Sequence, residues 1–523
     1  MSVNIEVLDS TLRDGAQAEG ISFSVNDKLE VVQALDDLGV TYLEAGNPAS
    51  NPKELEFFRR AKGLRLGNAI LCAFGSTRRK GIPAREDQNC AALLAADTPA
   101  VSFFGKSSLL HVAEILRTTP EENLAMIEDT GRHLRENGRE VIFDAEHFFD
   151  GYKSDAAYAL ATLAAAARGG ARVLCLCDTN GGAFPWEIAE TVRAVCAAFP
   201  ESVVGVHLHN DGDMATASSC AAVRAGARHV QGTFLGFGER IGNANLSAIV
   251  PNLQLKLGYG CLTEEQLTRL TPTARHIASI SNTTLRRAAP FVGASAFAHK
   301  AGMHADGVLK NSASFEHIDP AAVGNRRRVL VSEQTGRAAI LPRVQRLYPE
   351  VGASDPCVGA IVDALKQKEF QGYSYEGADA SFDLLIRKHM EALPSFFELI
   401  SYKILDELPY GDERSATATL KVRVREQVKI AAAEGEGPVN ALDIALREAL
   451  AGFYPALQQV QLLDYKVRIM ESTVGTGTKV RVLITSGDGE KQWTTMGVSH
   501  DIIEASWEAL VDSIVYKLLE GIK

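Results

Sequence analysis

The 523-residue sequence contains no apolar run that approaches the roughly 18 residues needed to cross a bilayer. Its first residues, MSVNIEVLDS, lack the basic and apolar segments of a secretory signal. Positive charge is not in excess either: 54 Lys and Arg stand against 65 Asp and Glu, a net charge of −11 that is spread along the chain. We therefore expect no membrane span, no membrane-surface binding and no nucleic-acid partner, and a cytoplasmic protein is the default expectation.

Cysteine signatures of metal binding are also missing. The eight cysteines are scattered, and none forms a Cys-x-x-Cys pair. Most lie inside apolar runs, where a free thiol behaves as a small hydrophobic side chain. We expect reduced core residues that take no part in metal binding.

What the sequence does contain, over residues 1 to about 260, is one pattern repeated eight times. A short β-branched apolar run is followed by a polar turn and then by a stretch with helical spacing. The apolar runs are Ile5–Leu8, Thr41–Glu44, Ala69–Ala73, Ala100–Phe104, Glu140–Phe143, Arg172–Leu176, Val203–His209 and His229–Phe234. Strands that alternate with helices are parallel and joined by right-handed crossovers. Eight such units in about 250 residues favour a closed (β/α)₈ TIM barrel over residues 1–270, with an open doubly wound sheet as the alternative.

Polar residues collect after these runs, at the strand ends where a barrel binds its ligands. They are Asp9, Arg13, Asp14, Glu44, Asn47, Asp144, Glu146, His147, Asp178, Thr179, Asn180, His207, His209, Asn210, Asp211, Glu239, Arg240 and Asn243. The opposite ends of the runs show no comparable cluster. The active site is therefore expected at the carboxyl mouth of the barrel.

The segment VVGVHLHND suggests a metal site. His207 and His209 are two residues apart on one strand, so both rings face the barrel interior. Two neutral imidazoles form half of a divalent-cation site, although His-x-His alone is more often a pair of ordinary polar strand residues. A single strand separates this one from the first, so Asp14 can reach the same cation, and Asn243 could add an oxygen ligand. The set suits Zn²⁺, Mn²⁺, Mg²⁺ or Co²⁺ without choosing among them.

Other polar residues near these ligands suggest catalytic roles. Arg13 is adjacent to Asp14 and could neutralise an oxyanion, although a solvated surface arginine is the common alternative. Glu146 and His147 could act as general acid or base, and Thr179 could donate its hydroxyl to a substrate carboxylate. Asp144 either lines the pocket or anchors His147.

Four separated motifs resemble the family of 2-isopropylmalate, homocitrate and citramalate synthases. They are LDSTLRDGAQ, HLHND, GERIGNANL and FAHKAGMHADGVLK. The longer stretches LDSTLRDGAQAEGISFSVNDK, FDAEHFFDGYK and NRRRVLVSEQTGR are most similar to the longer citramalate synthases. The resemblance covers essentially the whole chain.

The resemblance assigns roles to residues of the barrel and of the segment after it. Its metal ligands are Asp14, His207, His209 and, as a further ligand, Asn243; its catalytic residues are Arg13, Glu146 and His304; its substrate-binding residues are Arg13, Thr179 and Asp306. His304 and Asp306 resemble the polar pair that this family lends to a neighbouring subunit's active site. Where the family often has a tyrosine this chain has Phe315, so no role of that tyrosine is transferred.

The implied reaction joins acetyl-CoA to pyruvate, with water, to give citramalate and CoA, an entry to isoleucine precursors. A 2-isopropylmalate or homocitrate synthase, with another 2-oxo acid, is the main alternative. An HMG-CoA lyase and a metal-binding barrel without catalysis are further ones. The general base stays open among His304, Glu146 and an activated water, and Arg78, Arg79 and Lys80 are candidates for contacts with CoA.

The remainder of the chain divides into two expected regions. Residues 271–394 are predicted to form helical linker subdomains, because runs such as PCVGAIVDALKQKEF are amphipathic. Over residues 395–523, two alternating strands are each followed by a helix, with predicted caps at Asn440 and Ser499. This repetition predicts a duplicated α+β domain. By resemblance it is a regulatory domain that pairs two subunits in a homodimer and binds isoleucine; a dimerisation module without a ligand is the alternative.

Overall fold

The computed structural model describes residues 3–300, 302–330, 337–407, 415–470 and 478–521. The chain divides into two compact units, Met1–Phe297 with His317–Arg327 and Ala298–Glu316 with Arg328–Lys523. Among the described residues, no helix combines the length and the apolar character that crossing a membrane requires.

The first unit contains the expected closed barrel of eight parallel strands. They are β1 (Glu6–Asp9), β2 (Tyr42–Glu44), β3 (Ile70–Ser76), β4 (Ala100–Lys106), β5 (Glu140–Glu146), β6 (Val173–Asp178), β7 (Val203–Leu208) and β8 (His229–Gly232). Strand β8 pairs with β1, where Gln231 lies opposite Leu8, so the ring is closed and the open-sheet alternative is wrong. As predicted, β8 alone separates β1 from β7.

Several strands extend further toward the carboxyl mouth than their apolar runs. Strand β5 continues through Asp144 to Glu146, and Lys106 at the end of β4 is still in register with Glu146. Polar residues at the mouth keep their backbone hydrogen bonds in the ladder. An apolar pattern therefore underestimates the length of these strands.

Helices surround the barrel, and their ends follow local sequence. They are Val25–Leu38, Pro52–Ala61, Gln88–Ala95, Leu109–His111, Pro120–Glu136, Phe148–Ser154, Ala156–Arg168, Pro185–Ala198, Ala215–Ala225, Leu246–Pro251, Glu264–Leu267 and Leu270–Ile280. The first begins after Ser24, whose hydroxyl accepts a hydrogen bond from the Asp27 amide while the Asp27 carboxylate accepts one from the Ser24 amide. Such a capping box satisfies two amides that would otherwise lack partners.

The amino-terminal mouth of the barrel also carries a charged cluster, so the prediction that this end has none is wrong. Arg172 donates hydrogen bonds of 2.8 and 3.0 Å to Glu6 and one of 2.7 Å to Glu140. Tyr42 donates to Glu140 at 2.7 Å, and His229 Nδ1 lies 3.2 Å from Glu6. Each residue stands alone at the start of its own strand, so the sequence gives no sign that they converge. Polar networks at this end of a barrel serve stability.

The barrel interior is filled above this cluster by an apolar layer. Its buried members are Leu8, Tyr42, Cys72, Ala100, Ile142, Val173 and Cys175. A larger apolar cluster lies between the strands and the surrounding helices. All eight cysteines are free, as predicted.

Four helices form most of the first part of the described second unit, in agreement with the predicted helical character of the segment after the barrel. They are Gly302–Lys310, Arg337–Leu347, Pro356–Phe370 and Asp379–Met390. Two short parallel strands, β9 (Ala298–His299) and β10 (Arg328–Val329), pair beside them.

The carboxyl-terminal region repeats one arrangement, three antiparallel strands followed by a helix. The first copy is β11 (Glu398–Glu407), β12 (Ser415–Val424), β13 (Gln427–Gly435) and the helix Pro438–Ala451; the second is β14 (Gln461–Ile469), β15 (Val480–Gly487), β16 (Gln492–Ser499) and the helix Ile502–Glu520. The predicted duplication is therefore present, with three strands in each copy.

Both predicted helix caps of this region are wrong by two or three residues. The first helix follows Gly437, because Pro438 has a backbone angle suited to a first helical position and lacks the amide that would need a partner. The second follows Asp501, whose carboxylate accepts hydrogen bonds from the amides of Ile503 and Glu504.

Candidate active site

The predicted metal ligands converge at the carboxyl mouth of the barrel. Asp14 Oδ2 lies 3.1 Å from His207 Nε2 and 3.9 Å from His209 Nε2. One ligand atom from each of the three buried residues lies within 4.8 Å of the others. Asn243 forms an isolated bridge with His209, so it stands beside the same cluster.

The donor set fits a divalent cation. Asn243 Oδ1 is buried without a hydrogen-bond partner, which is costly unless a cation is bound there, and the buried Asp14 Oδ2 is approached only by the nitrogens of Arg13, His207 and His209 among the described residues. Asn243 Nδ2 donates to the Phe237 carbonyl at 3.2 Å, which leaves its oxygen free. Burial and the nearby His207 lower the pKa of His209 to about 4, so its ring is neutral and able to bind a metal at physiological pH.

A glycine holds Asn243 in place. Gly238 has a φ of +154°, and a Cβ atom there would lie 2.2 Å from Asn243 Nδ2. Any side chain at position 238 would displace the amide. The glycines of the GFGERIGN segment therefore serve the close approach of backbone to this ligand.

Arg13 places a positive charge beside the predicted metal ligands. Its Nε donates to Glu44 Oε2 at 2.6 Å, and one terminal nitrogen lies 3.3 Å from Asp14 Oδ2. The guanidinium also lies 3.8 Å from the centroid of the Phe74 ring. Burial opposes its charge, but Glu44 and Asp14 raise the pKa of Arg13, so the guanidinium stays charged. Sequence analysis placed Glu44 at the carboxyl mouth without assigning it a role, and it did not predict Phe74 at the site.

These residues share a cavity of about 260 Å³. It is lined by Arg13, Asp14, Gln17, Phe74, Phe104, Asp144, Glu146, Cys177, Thr179, His207, His209, Glu239 and Arg240. Seven barrel residues were assigned catalytic, substrate-binding or metal-binding roles in Sequence analysis. Six of them line this cavity, and the seventh, Asn243, lies next to it. Glu146 forms an ion pair with Lys106.

Thr179 is oriented by a strained neighbour. The His147 amide donates a 2.9 Å hydrogen bond to Thr179 Oγ1, and His147 itself has a left-handed φ of 58°. Because the hydroxyl oxygen accepts this bond, its own proton remains available to an acceptor in the cavity. Such strained backbone is typical of functional sites.

Asp144 lines the cavity and does not anchor His147. Its carboxylate accepts a 2.8 Å hydrogen bond from Gln231, whereas the His147 ring stacks on His111 at 3.6 Å. Burial, followed by the charge of Glu44, raises the pKa of Asp144 to about 7. Of the two roles left open by the sequence, the structure favours pocket lining.

Three family models match the chain. One described as HMGL-like covers residues 4–277, the homocitrate synthase post-HMGL domain-like model covers 291–371, and the LeuA allosteric (dimerisation) domain covers 376–518. An (R)-citramalate synthase of Aquifex aeolicus is 48% identical over 99% of both chains. The chain belongs to the citramalate synthase family.

A second relative also matches over nearly its whole length. An (R)-citramalate synthase of Geobacter sulfurreducens is 44% identical over 98% of this chain and 97% of its own. Among solved structures, the HMG-CoA lyase of Bacillus subtilis matches 55% of this chain and 97% of its own at 20% identity, with a TM-score of 0.47.

In this citramalate synthase family member, the remaining predicted site residues lie in the second unit. His304 is exposed on the helix Gly302–Lys310, and its ring stacks on Phe315 with centroids 4.2 Å apart. Asp306 is half-exposed and pairs with Lys310 at 2.6 Å. The structure therefore brings His304 into contact with Phe315, the residue at the position where the family often has a tyrosine.

Two cysteines lie closer to the site than their spacing suggested. A thiol sulfur of Cys175 and of Cys177 and a carboxylate oxygen of Asp144 lie within 4.8 Å of one another. Burial raises the pKa of Cys177 to about 11 and that of Cys175 well above its usual range, so both thiols are protonated near neutral pH. That no cysteine takes part in metal binding stays a prediction.

A second cavity of about 650 Å³ adjoins the first, and Phe104 lines both. Arg78, Arg79 and Lys80, which line this second cavity, are the residues that Sequence analysis gave as candidates for contacts with CoA. Arg78 is buried and pairs with Glu122 and Asp129, both at 2.8 Å, so its charge is already neutralised. Arg79 and Lys80 are exposed at its rim.

Proposed function

We propose that the protein condenses acetyl-CoA with pyruvate and water to form citramalate and CoA, as a step toward isoleucine precursors. The observation that carries this proposal is the buried Asp14, His207 and His209 cluster beside Arg13, in a chain similar over its length to (R)-citramalate synthases. The second candidate is a synthase that takes 2-oxoisovalerate; 2-isopropylmalate synthases are also among the relatives, but at 28% and 29% identity they are less similar than the (R)-citramalate synthases.

In the proposed reaction, the methyl group of acetyl-CoA loses a proton and its carbon attacks the keto carbon of pyruvate. The keto oxygen takes up a proton, and water cleaves the thioester to release CoA. A divalent cation, held by Asp14, His207, His209 and Asn243, would supply Lewis-acid polarisation of the 2-oxo group. Its identity among Zn²⁺, Mn²⁺, Mg²⁺ and Co²⁺ is left to metal analysis.

The chain's own residues provide binding and charge stabilisation. The permanently charged Arg13 faces the cavity, where it stabilises negative charge developing on the keto oxygen. Thr179 donates its free hydroxyl proton to the carboxylate of pyruvate. Glu146 lines the same cavity and is our candidate to accept the methyl proton, with His304 and a water as the other candidates.

Two aromatic rings are our candidates for contact with the side chain of the 2-oxo acid. Phe74 and Phe104 stack with centroids 5.5 Å apart, and both line the 260 Å³ cavity. One extra methylene group changes specificity by only about 1–3 kcal/mol, so the acceptor has to be measured. CoA release is compared for pyruvate, 2-oxobutyrate, 2-oxoisovalerate and 2-oxoglutarate. A preference for 2-oxoisovalerate would replace our proposal by the second candidate.

The adjoining cavity is proposed to receive the CoA portion of acetyl-CoA. Its wall is apolar, with Ile82, Leu116 and Met126, and Arg79 and Lys80 at its rim offer positive charge to phosphates. Replacing both rim residues by Gln is expected to raise KM for acetyl-CoA and to leave KM for pyruvate unchanged.

The carboxyl-terminal region is proposed to join two subunits in a homodimer and to bind isoleucine. The match to an allosteric dimerisation domain supports pairing, and its strands expose apolar side chains such as Leu405, Ile430 and Ile469. In the homodimer, His304 and Asp306 are proposed to complete the active site of the partner subunit. Isothermal titration with isoleucine, and with leucine for comparison, tests the effector. A cytoplasmic location stays a prediction.

A further inference from the structure

Gln231 lies inside the barrel, next to one metal ligand, and has no assigned role. It is on β8, directly opposite His207 on β7, and its side chain is fully buried. Its Oε1 atom lies 3.0 Å from His207 Nδ1. Its Nε2 atom donates a 2.8 Å hydrogen bond across the barrel to Asp144 Oδ1 on β5. The three side chains form a continuous line that ends at the metal site.

The hydrogen bond to Asp144 gives the direction of this line. Gln231 Nε2 donates to Asp144 Oδ1, so the amide oxygen is the atom that faces His207, and it can only accept. His207 therefore donates from Nδ1, and once the ring is neutral its lone pair is on Nε2, the atom 3.1 Å from Asp14 Oδ2.

We infer that Gln231 is a positioning residue, which Asp144 orients and which holds His207 in the tautomer whose Nε2 lone pair faces the metal site. Without an acceptor at Nδ1, an imidazole in water favours the other tautomer, which would place a proton toward the cation. The inference rests on the metal site of the proposed function. The expected effect of Gln231 is on the affinity of the protein for the metal, so Gln231 is not assigned a catalytic role.

The first test measures metal binding without substrates. The protein is stripped with EDTA and titrated with cobalt chloride, by calorimetry and by the visible absorption of bound Co²⁺. Gln231→Met keeps the length of the side chain but removes both hydrogen bonds. We expect about 10- to 100-fold weaker binding, the usual effect of losing a partner that orients a ligand. Binding as tight as in the wild type would overturn the inference.

A matched control separates orientation from general loss of stability. Thr162 is buried in the same unit, and its hydroxyl pairs with Ser107 at 2.9 Å, away from the cavity. Thr162→Val removes a buried hydrogen bond of the same kind, and we expect unchanged cobalt affinity. Equal weakening in both variants would show a merely structural effect and overturn the inference.

A reversed pair tests the mechanism. In Gln231→Glu combined with Asp144→Asn, the amide at position 144 donates and the carboxylate at 231 accepts, so His207 again meets an accepting oxygen. We expect cobalt affinity within about threefold of the wild type, because the orienting partner is restored. Binding as weak as that of Gln231→Met would contradict the role of the accepting oxygen.

The tautomer itself can be read in the wild-type protein loaded with zinc, a diamagnetic ion, so the test does not depend on any variant folding. Long-range ¹H–¹⁵N correlation of histidine-labelled protein reports which ring nitrogen carries a proton, and the signal missing in His207→Gln assigns this residue. We expect a proton on Nδ1 of His207, and an Nδ1 atom without a proton would overturn the inference. Loss of citramalate formation with intact cobalt binding would count against the proposed function alone.

Discussion

Arg13 and Glu44 form a buried ion pair on the wall of the cavity, with Arg13 Nε 2.6 Å from Glu44 Oε2. Glu44 is fully buried at the end of β2, and Ser102 donates a hydrogen bond to its other oxygen. The pair holds the guanidinium between the Phe74 ring and the metal ligands. An arginine fixed in this way does not need to reorganise when negative charge develops beside it.

Glu44→Gln is therefore expected to lower kcat about 10- to 100-fold, since a hydrogen bond to a charged group is worth about 1.5–3 kcal/mol. KM for pyruvate should change little, because Glu44 does not line the cavity. Steady-state CoA release measures both constants. Glu54→Gln is the matched control, because Glu54 forms another buried ion pair, with Lys28. This variant should lower the stability of the protein and leave kcat unchanged. An unchanged kcat in Glu44→Gln would show that catalysis does not depend on the orientation of Arg13 by Glu44.

Removal of the metal or of one ligand is expected to abolish turnover. His209→Ala leaves Asp14 and His207 without the second imidazole, and dialysis against EDTA removes the cation from the wild type. The pKa of His209 is about 4, so this ring needs no deprotonation at neutral pH, whereas burial opposes but Asp14 raises the pKa of His207. Cobalt added back to the stripped wild type should restore activity. Substantial CoA release by a stripped His209→Ala protein would refute the metal site.

Thr179→Val is expected to raise KM for pyruvate about tenfold or more, because it removes one hydrogen bond to a charged carboxylate. Thr179→Ser keeps the hydroxyl that accepts from the His147 amide and should stay within a few fold of the wild type. Initial rates at varied pyruvate separate the two variants. Equal KM values for Thr179→Val and the wild type would exclude this hydroxyl as the carboxylate donor.

The barrel and most of its site could be predicted because both depend on local pattern. Eight apolar runs identify eight strands, and polar residues after those runs must meet at one mouth, as Asp14, His207 and His209 do. The two imidazoles are two residues apart, His207 on β7 and His209 in the extended backbone directly after it, so their rings point to the same side.

Contacts across the barrel could not be predicted in the same way. Gln231 reaches Asp144 from three strands away, and Arg13, in the turn after β1, reaches Glu44 at the end of β2. Sequence periodicity tells which face a side chain is on, whereas its partner depends on the register and shear of the closed sheet. The cluster around Arg172 was missed for this reason.

That cluster leads to a prediction about acid stability. Burial opposes ionisation, but hydrogen bonds from His229 and Arg172 lower the pKa of Glu6 from 4.5 to about 2. The unfolded chain therefore takes up this proton at higher pH than the folded one, so the stabilisation is complete above about pH 4.5 and is lost as the pH falls toward 2.

Glu6→Gln keeps the size of the side chain but cannot ionise, so it should melt at a lower temperature than the wild type at neutral pH. The difference between the two midpoints should narrow once the pH falls below about 4.5, because only the wild type loses a charged partner of Arg172 there. Circular dichroism melts over this range measure it. Asp97→Asn, at an exposed ion pair with Lys62, should leave the midpoint nearly unchanged, since exposed pairs contribute little. Parallel midpoints of wild type and Glu6→Gln at every pH would mean that Glu6 titrates normally in the folded barrel.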